Sequence, residues 1–242
     1  MDREMVQLIS GYYNHLNDYR KALAQRNNLL KQIAFDKNFT ETALLEVWEE
    51  SLAETGAQIM QKRAETIKKM APIAASIHYT LSSGEEKLKI GYDSSVALPE
   101  NFAEMKPEEA KQTAKTNLLM VYQSKRTQET ARGITLYGPH RDDLFISVNG
   151  VNLRNFGSQG QQRTAALALK LSEVELVYNL KGDYPVLLLD DVLSELDSGR
   201  REALLGLIFD KAQIFITTTD QNNPMSSKEG RCFQVQNGSI LK

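Results

Sequence analysis

The sequence predicts an α/β chain built in two textures, and three observations carry that prediction. Through about the first 130 residues, apolar side chains recur at spacings of three and four, the period of amphipathic helices. Nearer the C-terminus, two continuous apolar runs, PVLLLDD (185–191) and AQIFITTTD (212–220), flank a helix-like stretch. Such runs separated by helices are the pattern of strands in a sheet buried on both faces. Between the two textures, FGSQGQQRTAALALKLSEVEL (156–176) passes from a loop of small and polar residues straight into an apolar-striped helix. A helix entered through small residues leaves outward-pointing N–H groups that suit a phosphate.

The elements follow in order. Met5, Leu8, Ile9, Tyr12, Leu16, Tyr19, Leu23, Leu30 and Ile33 mark one long amphipathic helix from Asp2 to Ile33. A second helix opens at Thr40 as N-cap, and its stripe of Leu45, Trp48, Leu52, Ile59, Ile67 and Met70 has near-heptad spacing. Trp48, on that stripe, is a core residue, and Pro72 is expected to kink or interrupt the helix. His15 and His78 read as ordinary, partly exposed residues. SSG at 82–84 is a turn, and EKLKIGY (86–92) alternates as a strand does. Pro107 fits the first position of a helix running to Arg132. Beyond Gly133, Asn149-Gly150 within SVNGVN signals a hairpin. A helix from Gln161 to Leu180, the first apolar strand, a helix after Asp197 and the second apolar strand come next. Asn237-Gly238 closes the chain with another hairpin, after a loop-like stretch at 220–230.

Composition narrows the class of function. The 242 residues are 41% hydrophobic and 25% charged with a formal net charge of −2, so any nucleic-acid contact has to come from a local patch. A single cysteine, Cys232, excludes a disulfide framework, and its place in an apparent strand suggests packing. No apolar run reaches the ~18–20 residues of a membrane span, and the first residues lack the character of a signal peptide, so a cytoplasmic location is expected.

Several residues bear chemistry. VLLLDD (186–191) ends in two carboxylates; taken alone it fits either a Mg²⁺ site at a strand end or an acidic turn. GPHRDD (138–143) fits either a polar cluster around His140, Arg141 and Asp142 or a turn in which Arg141 pairs with an aspartate. Arg20, Lys21, Arg26 and Lys31 on the first helix, with Lys62, Arg63, Lys68 and Lys69 on the second, could track duplex phosphates or form a solvated face.

The order of these motifs is more specific than any one of them. A signature-like loop opening a helix, then a strand ending in DD, then SELD (194–197), then IFITTTD resembles the second half of an ABC-type ATPase of the branch that includes SMC and Rad50 proteins. FGSQGQQRTAALALKLSE with PVLLLDDVLSELD, the preceding YGPHRDD and YRKALAQRNNLLKQ (19–32) resembles, specifically, the RecF family of DNA replication and repair proteins. The resemblance covers essentially the whole chain and implies a helical arm over 1–132, with a small β element near 82–93, and the C-terminal half of an ATPase head over 133–242. It implies ATP and Mg²⁺ as cofactors, bound mainly by an N-terminal lobe and shared across an ATP-dependent homodimer. No G-x-x-x-x-G-K-[ST] motif occurs, and Met1 falls where the family's arm begins, so the chain reads as starting after that lobe. By itself it is then expected neither to bind Mg-ATP tightly nor to hydrolyse it, and to leave a sheet edge and apolar surface uncovered.

The resemblance assigns roles residue by residue. Ser158, Gln159, Gly160, Gln161, Gln162 and Arg163 form the signature loop, in which Ser158, Gly160 and neighbouring amides reach the γ-phosphate held by the partner subunit, while the Arg163 guanidinium either touches phosphate or ties the loop to SELD (194–197). Gln159 stands where the family pattern usually has Gly. Asp190 matches the carboxylate that holds Mg²⁺, and Asp191 the catalytic carboxylate that orients or deprotonates the attacking water; Glu is commoner there, and the shorter Asp implies slow turnover. Asp197 belongs to the loop that communicates across the dimer, and the switch position falls among Thr217, Thr218 and Thr219, with Thr218 central. The implied function is an ATP-gated clamp in recombinational repair and replication-fork maintenance, binding duplex DNA near single-strand junctions and helping RecR, with RecO, load recombinase. The candidate DNA contacts are Arg20, Lys21, Arg26, Lys62 and Arg63. The alternative is a non-enzymatic scaffold whose helical arm docks protein partners.

Overall fold

The computed structural model describes residues 2–36, 42–219 and 230–241. The chain divides between Tyr184 and Pro185 into two compact units. In the first, α1 (Asp2–Leu8), α2 (Tyr12–Phe35), α3 (Thr42–Leu81) and α4 (Pro107–Arg132) precede a short hairpin and α6 (Gln159–Lys181). α3 is the spine: α2, α4 and α6 all pack along it. Its 40 residues make a rod about 60 Å long at 1.5 Å per residue. Tyr12, Leu16 and Tyr19 of α2, Leu52, Ala53, Ala57 and Met60 of α3, and Ala114, Leu118 and Tyr122 of α4 share one buried cluster. Alanines and Gly56 let the helices approach closely; a Cβ on Gly56 would lie 3.2 Å from both Leu118 and Tyr19.

The small sheet of this unit is antiparallel. β1 (Leu88–Asp93) pairs with β2 (Asp143–Val148), Leu88 opposite Val148, and β2 turns through Asn149-Gly150 into β3 (Val151–Asn152). Both turn residues have positive φ, 50° and 82°, as a two-residue hairpin of the right twist demands. The short helix α5 (Leu153–Phe156) then leads to α6.

The second unit carries β4 (Leu187–Asp190), α7 (Ser198–Ile208), β5 (Ile214–Thr217) and a terminal hairpin of β6 (Gln234–Gln236) and β7 (Ser239–Leu241). β4 and β5 are parallel, with Asp190 opposite Thr217. Leu187, Leu189, Leu193, Leu204 and Ile208 supply its buried side chains. Among the described residues no helix is long and apolar enough to cross a membrane.

Several expectations are corrected. The first helix is two: Gly11, at φ 78°, breaks it, because a left-handed residue cannot continue a right-handed helix. Pro72 does not interrupt α3; its ring removes one N–H, while buried Met70 and Ala74 on either side keep the helix seated. Among the described residues the apolar strands are not covered on both faces. Leu188 is 75% exposed and Phe215 54%, because the pair of strands has only one packed side. Cys232 is exposed and lies outside any strand. His78 is fully buried. Trp48 is half-buried, wedged against two apolar clusters. Thr40 and nearly all of the 220–230 stretch lie outside the described residues.

Candidate functional site

The glutamines at the mouth of α6 build the loop that precedes it. Ser158 is the N-cap: its Oγ accepts from Gln161 N at 3.2 Å, while Gln161 Oε1 accepts from Ser158 N at 3.1 Å, a reciprocal capping box. Gln161 Nε2 donates to Glu86 Oε1 at 2.9 Å, tying the loop to the segment just after α3. Glu86 in turn lies beside buried His78, with Nε2 to Oε2 at 3.6 Å. Gln162 Nε2 reaches back to the carbonyls of Leu153 (3.2 Å) and Gly157 (3.3 Å). Asn152 caps α5 by accepting from Arg154 N and Asn155 N. Gly157 is required sterically, since a Cβ there would fall 2.6 Å from the Leu153 carbonyl. Gln159 and Gly160 occupy the first helical turn, where N–H groups have no carbonyl behind them. Ser158 Oγ keeps its own hydrogen to donate, and Arg163 is exposed in the next turn.

In the second unit the carboxylates stand at the C-terminal end of β4. Thr217 Oγ1 donates to Asp190 Oδ1 at 2.5 Å, and Asp191 N donates to the same hydroxyl at 3.0 Å. Of the three threonines expected around the switch position, Thr217 is therefore the one bound to the carboxylate, and Thr218 follows it directly. The register of β4 and β5 singles it out, because parallel pairing sets Thr217 opposite Asp190. Asp191 adopts a left-handed conformation, φ 53°, and opens the 3₁₀ turn Val192–Glu195, leaving its side chain exposed. A non-glycine residue in that region is uncommon and marks a tight turn or a functional constraint. Asp197 caps α7 through Arg200 N at 2.9 Å, and that backbone donor holds its carboxyl below the usual aspartate range.

Among the described residues no three metal-ligating side chains cluster. The donor set still fits a Mg²⁺ site of the kind that takes one or two protein carboxylates and fills its other positions with phosphate oxygens and water. Asp190 keeps one carboxylate oxygen without a partner among the described residues, and Asp191 adds an exposed carboxylate beside it.

The candidate DNA contacts separate into two groups. Arg20 and Lys21 are exposed on α2, Lys21 with Asp18 at 3.7 Å. Lys62 is half-buried and pairs with Glu65 at 3.3 Å. Arg26 and Arg63 are withdrawn from solvent. Arg26 is 0% exposed, bonding Glu49 Oε1 (2.9 Å), Glu129 Oε2 (2.7 Å) and Thr135 Oγ1 (2.8 Å), with its guanidinium 4.6 Å over the Tyr122 ring. Arg63, 9% exposed, grips both carboxylate oxygens of Asp2 and the Pro139 carbonyl. Both guanidiniums hold the helices together and have no surface to offer a duplex phosphate.

GPHRDD is a turn leading into β2, but Arg141 pairs with neither aspartate. Asp142 accepts from Tyr92 Oη and from Ser95 N and Oγ, and Asp143 pairs with Arg154 at 2.5 Å. Tyr19 Oη lies 2.7 Å from His140 Nδ1, and His140 Nε2 is 3.2 Å from the Thr135 carbonyl, which assigns the proton to Nε2. Desolvation against these partners lowers the His140 pKa although one edge of the ring meets solvent.

No family model matches the chain. Curated relatives called DNA replication and repair protein RecF match all of it: 43% identity over 244 residues in Halothermothrix orenii and 41% in Listeria welshimeri. That of Bacillus cereus is 44% identical over 242 residues, 99% of the chain. The chain spans 63%, 64% and 62% of those relatives' lengths respectively. A solved structure of the recombination mediator protein RecF with ATP, in the RecFOR pathway, superposes with a TM-score of 0.80 at 33% identity, covering 99% of this chain and 60% of that one.

Proposed function

The chain belongs to the RecF family, and from that premise we propose that it forms the helical arm (1–132) and the C-terminal half of the head (133–242) of an ATP-gated DNA clamp. The observation that carries this reading is the capped N-terminus of α6. Ser158 and the Gln159 and Gly160 amides present donors on a loop of small residues, which fits the terminal phosphate of ATP bound by a second subunit. Asp190 would hold Mg²⁺, which when bound supplies charge neutralisation on the phosphates. Asp191, exposed and held at a fixed backbone angle, orients the water that attacks, and Thr217 fixes the rotamer of Asp190 by donating to it. Asp197 caps α7 and lies in the loop that faces the partner subunit; Thr218 lies at the switch.

Closure on ATP then makes nucleotide state a population switch between open and closed dimers on duplex DNA near single-strand junctions, with RecR and RecO as partners. Arg20, Lys21 and Lys62 are the remaining arm contacts for DNA. The test is Asp191→Asn in the full-length protein with ATP and a junction duplex, followed by light scattering. A clamp is trapped as a dimer on DNA; unchanged dimerisation would assign the chain to a scaffold that does not respond to ATP.

A further inference from the structure

The GPHRDD turn is held by several neighbouring elements, yet the side chain of one of its exposed residues, Arg141, has no partner among the described residues. Gly138 N donates to Ser95 Oγ at 2.8 Å, and Ser95 Oγ lies 3.2 Å from the Gly138 carbonyl. Arg63 holds the Pro139 carbonyl at 2.6 Å, Tyr19 and Thr135 hold His140, and Tyr92 and Ser95 hold Asp142. Arg141 N closes the turn on the Gly138 carbonyl at 2.8 Å. At Gly138 itself φ is 121° and a Cβ would fall 2.5 Å from Tyr19 Oη, so the backbone is locked where only glycine fits. Partners from α2, α3, β1, the segment after β1 and Thr135 thus hold four of the six residues, Gly138, Pro139, His140 and Asp142.

The Arg141 side chain takes no part in this network. It is exposed, and its guanidinium makes no hydrogen bond or ion pair among the described residues. Two aspartates follow it directly, and each is turned to another partner, so its charge is left uncompensated at short range. The Asp143–Arg154 pair links the start of β2 to α5, the helix that leads into the Ser158 loop. A backbone position set this rigidly, carrying an unpaired guanidinium, is pre-organised for an anion from outside the chain.

We propose that Arg141 is a phosphate-contact residue, its ligand a phosphate ester of nucleic acid or of a nucleotide. The inference rests on the reading of the chain as part of an ATP-dependent DNA clamp. The test uses the full-length protein with Arg141→Ala and Arg141→Lys. Binding to a duplex is titrated against salt without nucleotide, and ATP-dependent dimerisation is followed without DNA. Arg141→Ala is expected to weaken one of the two about tenfold, as loss of a charge-assisted contact does, with Arg141→Lys intermediate. A duplex affinity that falls with a salt slope shallower by about one identifies a phosphodiester. A loss confined to dimerisation identifies the nucleotide phosphate. If wild-type protein binds both and neither binding changes in Arg141→Ala, the inference is overturned while the clamp reading stands. A lowered melting temperature also overturns it, because the side chain would then serve the fold. Wild-type protein that binds neither ligand refutes the clamp reading itself.

Discussion

Replacing Arg26 with methionine tests whether the buried cation is the keystone of the helical unit. Met keeps the apolar stem against Tyr122 and removes the charge. Glu49 then still has Arg126 at 2.5 Å, but Glu129, 0% exposed, retains among the described residues only the Leu136 N–H at 2.6 Å. Breaking a buried pair by removing one partner costs about 3–5 kcal/mol, since the other charge is left in a low-dielectric site. The guanidinium's contact with the Tyr122 ring adds about 0.5–2 kcal/mol. Partial rescue of Glu49 by Arg126 offsets some of this, so the net loss is about 4 kcal/mol, a large share of the ~5–15 kcal/mol that a domain has. In urea, monitored by far-ultraviolet dichroism, the midpoint should fall by about 1–2 M. Adding Glu129→Gln to Arg26→Met should recover part of the loss, because the stranded charge disappears. A single-variant cost below about 1 kcal/mol, or no recovery in the double variant, would refute the reasoning.

Two further outcomes are expected. Glu86→Ala frees Gln161 and should raise amide exchange across 158–162 by about tenfold while the global melting temperature barely moves, given the worth of a charged hydrogen bond. Unchanged exchange would mean that the capping box needs no support from Glu86. Lys111, with Lys115, holds the Glu54 carboxyl down to about 2, and Lys69 does the same for Glu65. These carboxylates titrate lower in the folded chain than in the unfolded one. Their contribution is therefore full above about pH 4.5 and is lost as pH falls towards 2. Carboxyl NMR midpoints above 4 would contradict it.

Local chemistry made much of the fold legible. Pro107 at the start of α4, Asn149-Gly150 in the hairpin and Ser158 before α6 each act within a few residues, and the structure puts each where its chemistry requires. The polar residues misjudged from sequence share one cause. Arg26 lies four residues after Ala22 and before Leu30, Arg63 three after Met60 and four before Ile67, and His78 four after Ala74 and three before Leu81. Each sits on the apolar stripe of its helix, so the period itself indicated burial. What the period cannot supply is the distant partner, Glu129 for Arg26 or Asp2 for Arg63, that makes a buried charge tolerable. The exposed faces of β4 and β5 were illegible for the opposite reason: a continuous apolar run states what a strand can bury, and leaves open what covers it.

The capping box at Ser158 has a thermodynamic consequence for any anion that lands there. Two of its amides are already saturated by side chains, so a phosphate seeking them would exchange one hydrogen bond for another and gain little. The net attraction is left to the Gln159 and Gly160 amides and the serine proton. Such a loop is closed on itself when empty, holds its shape without a ligand, and re-seals when the ligand leaves. Grip and release then differ by only a few hydrogen bonds, which favours a contact made and broken many times over one made once.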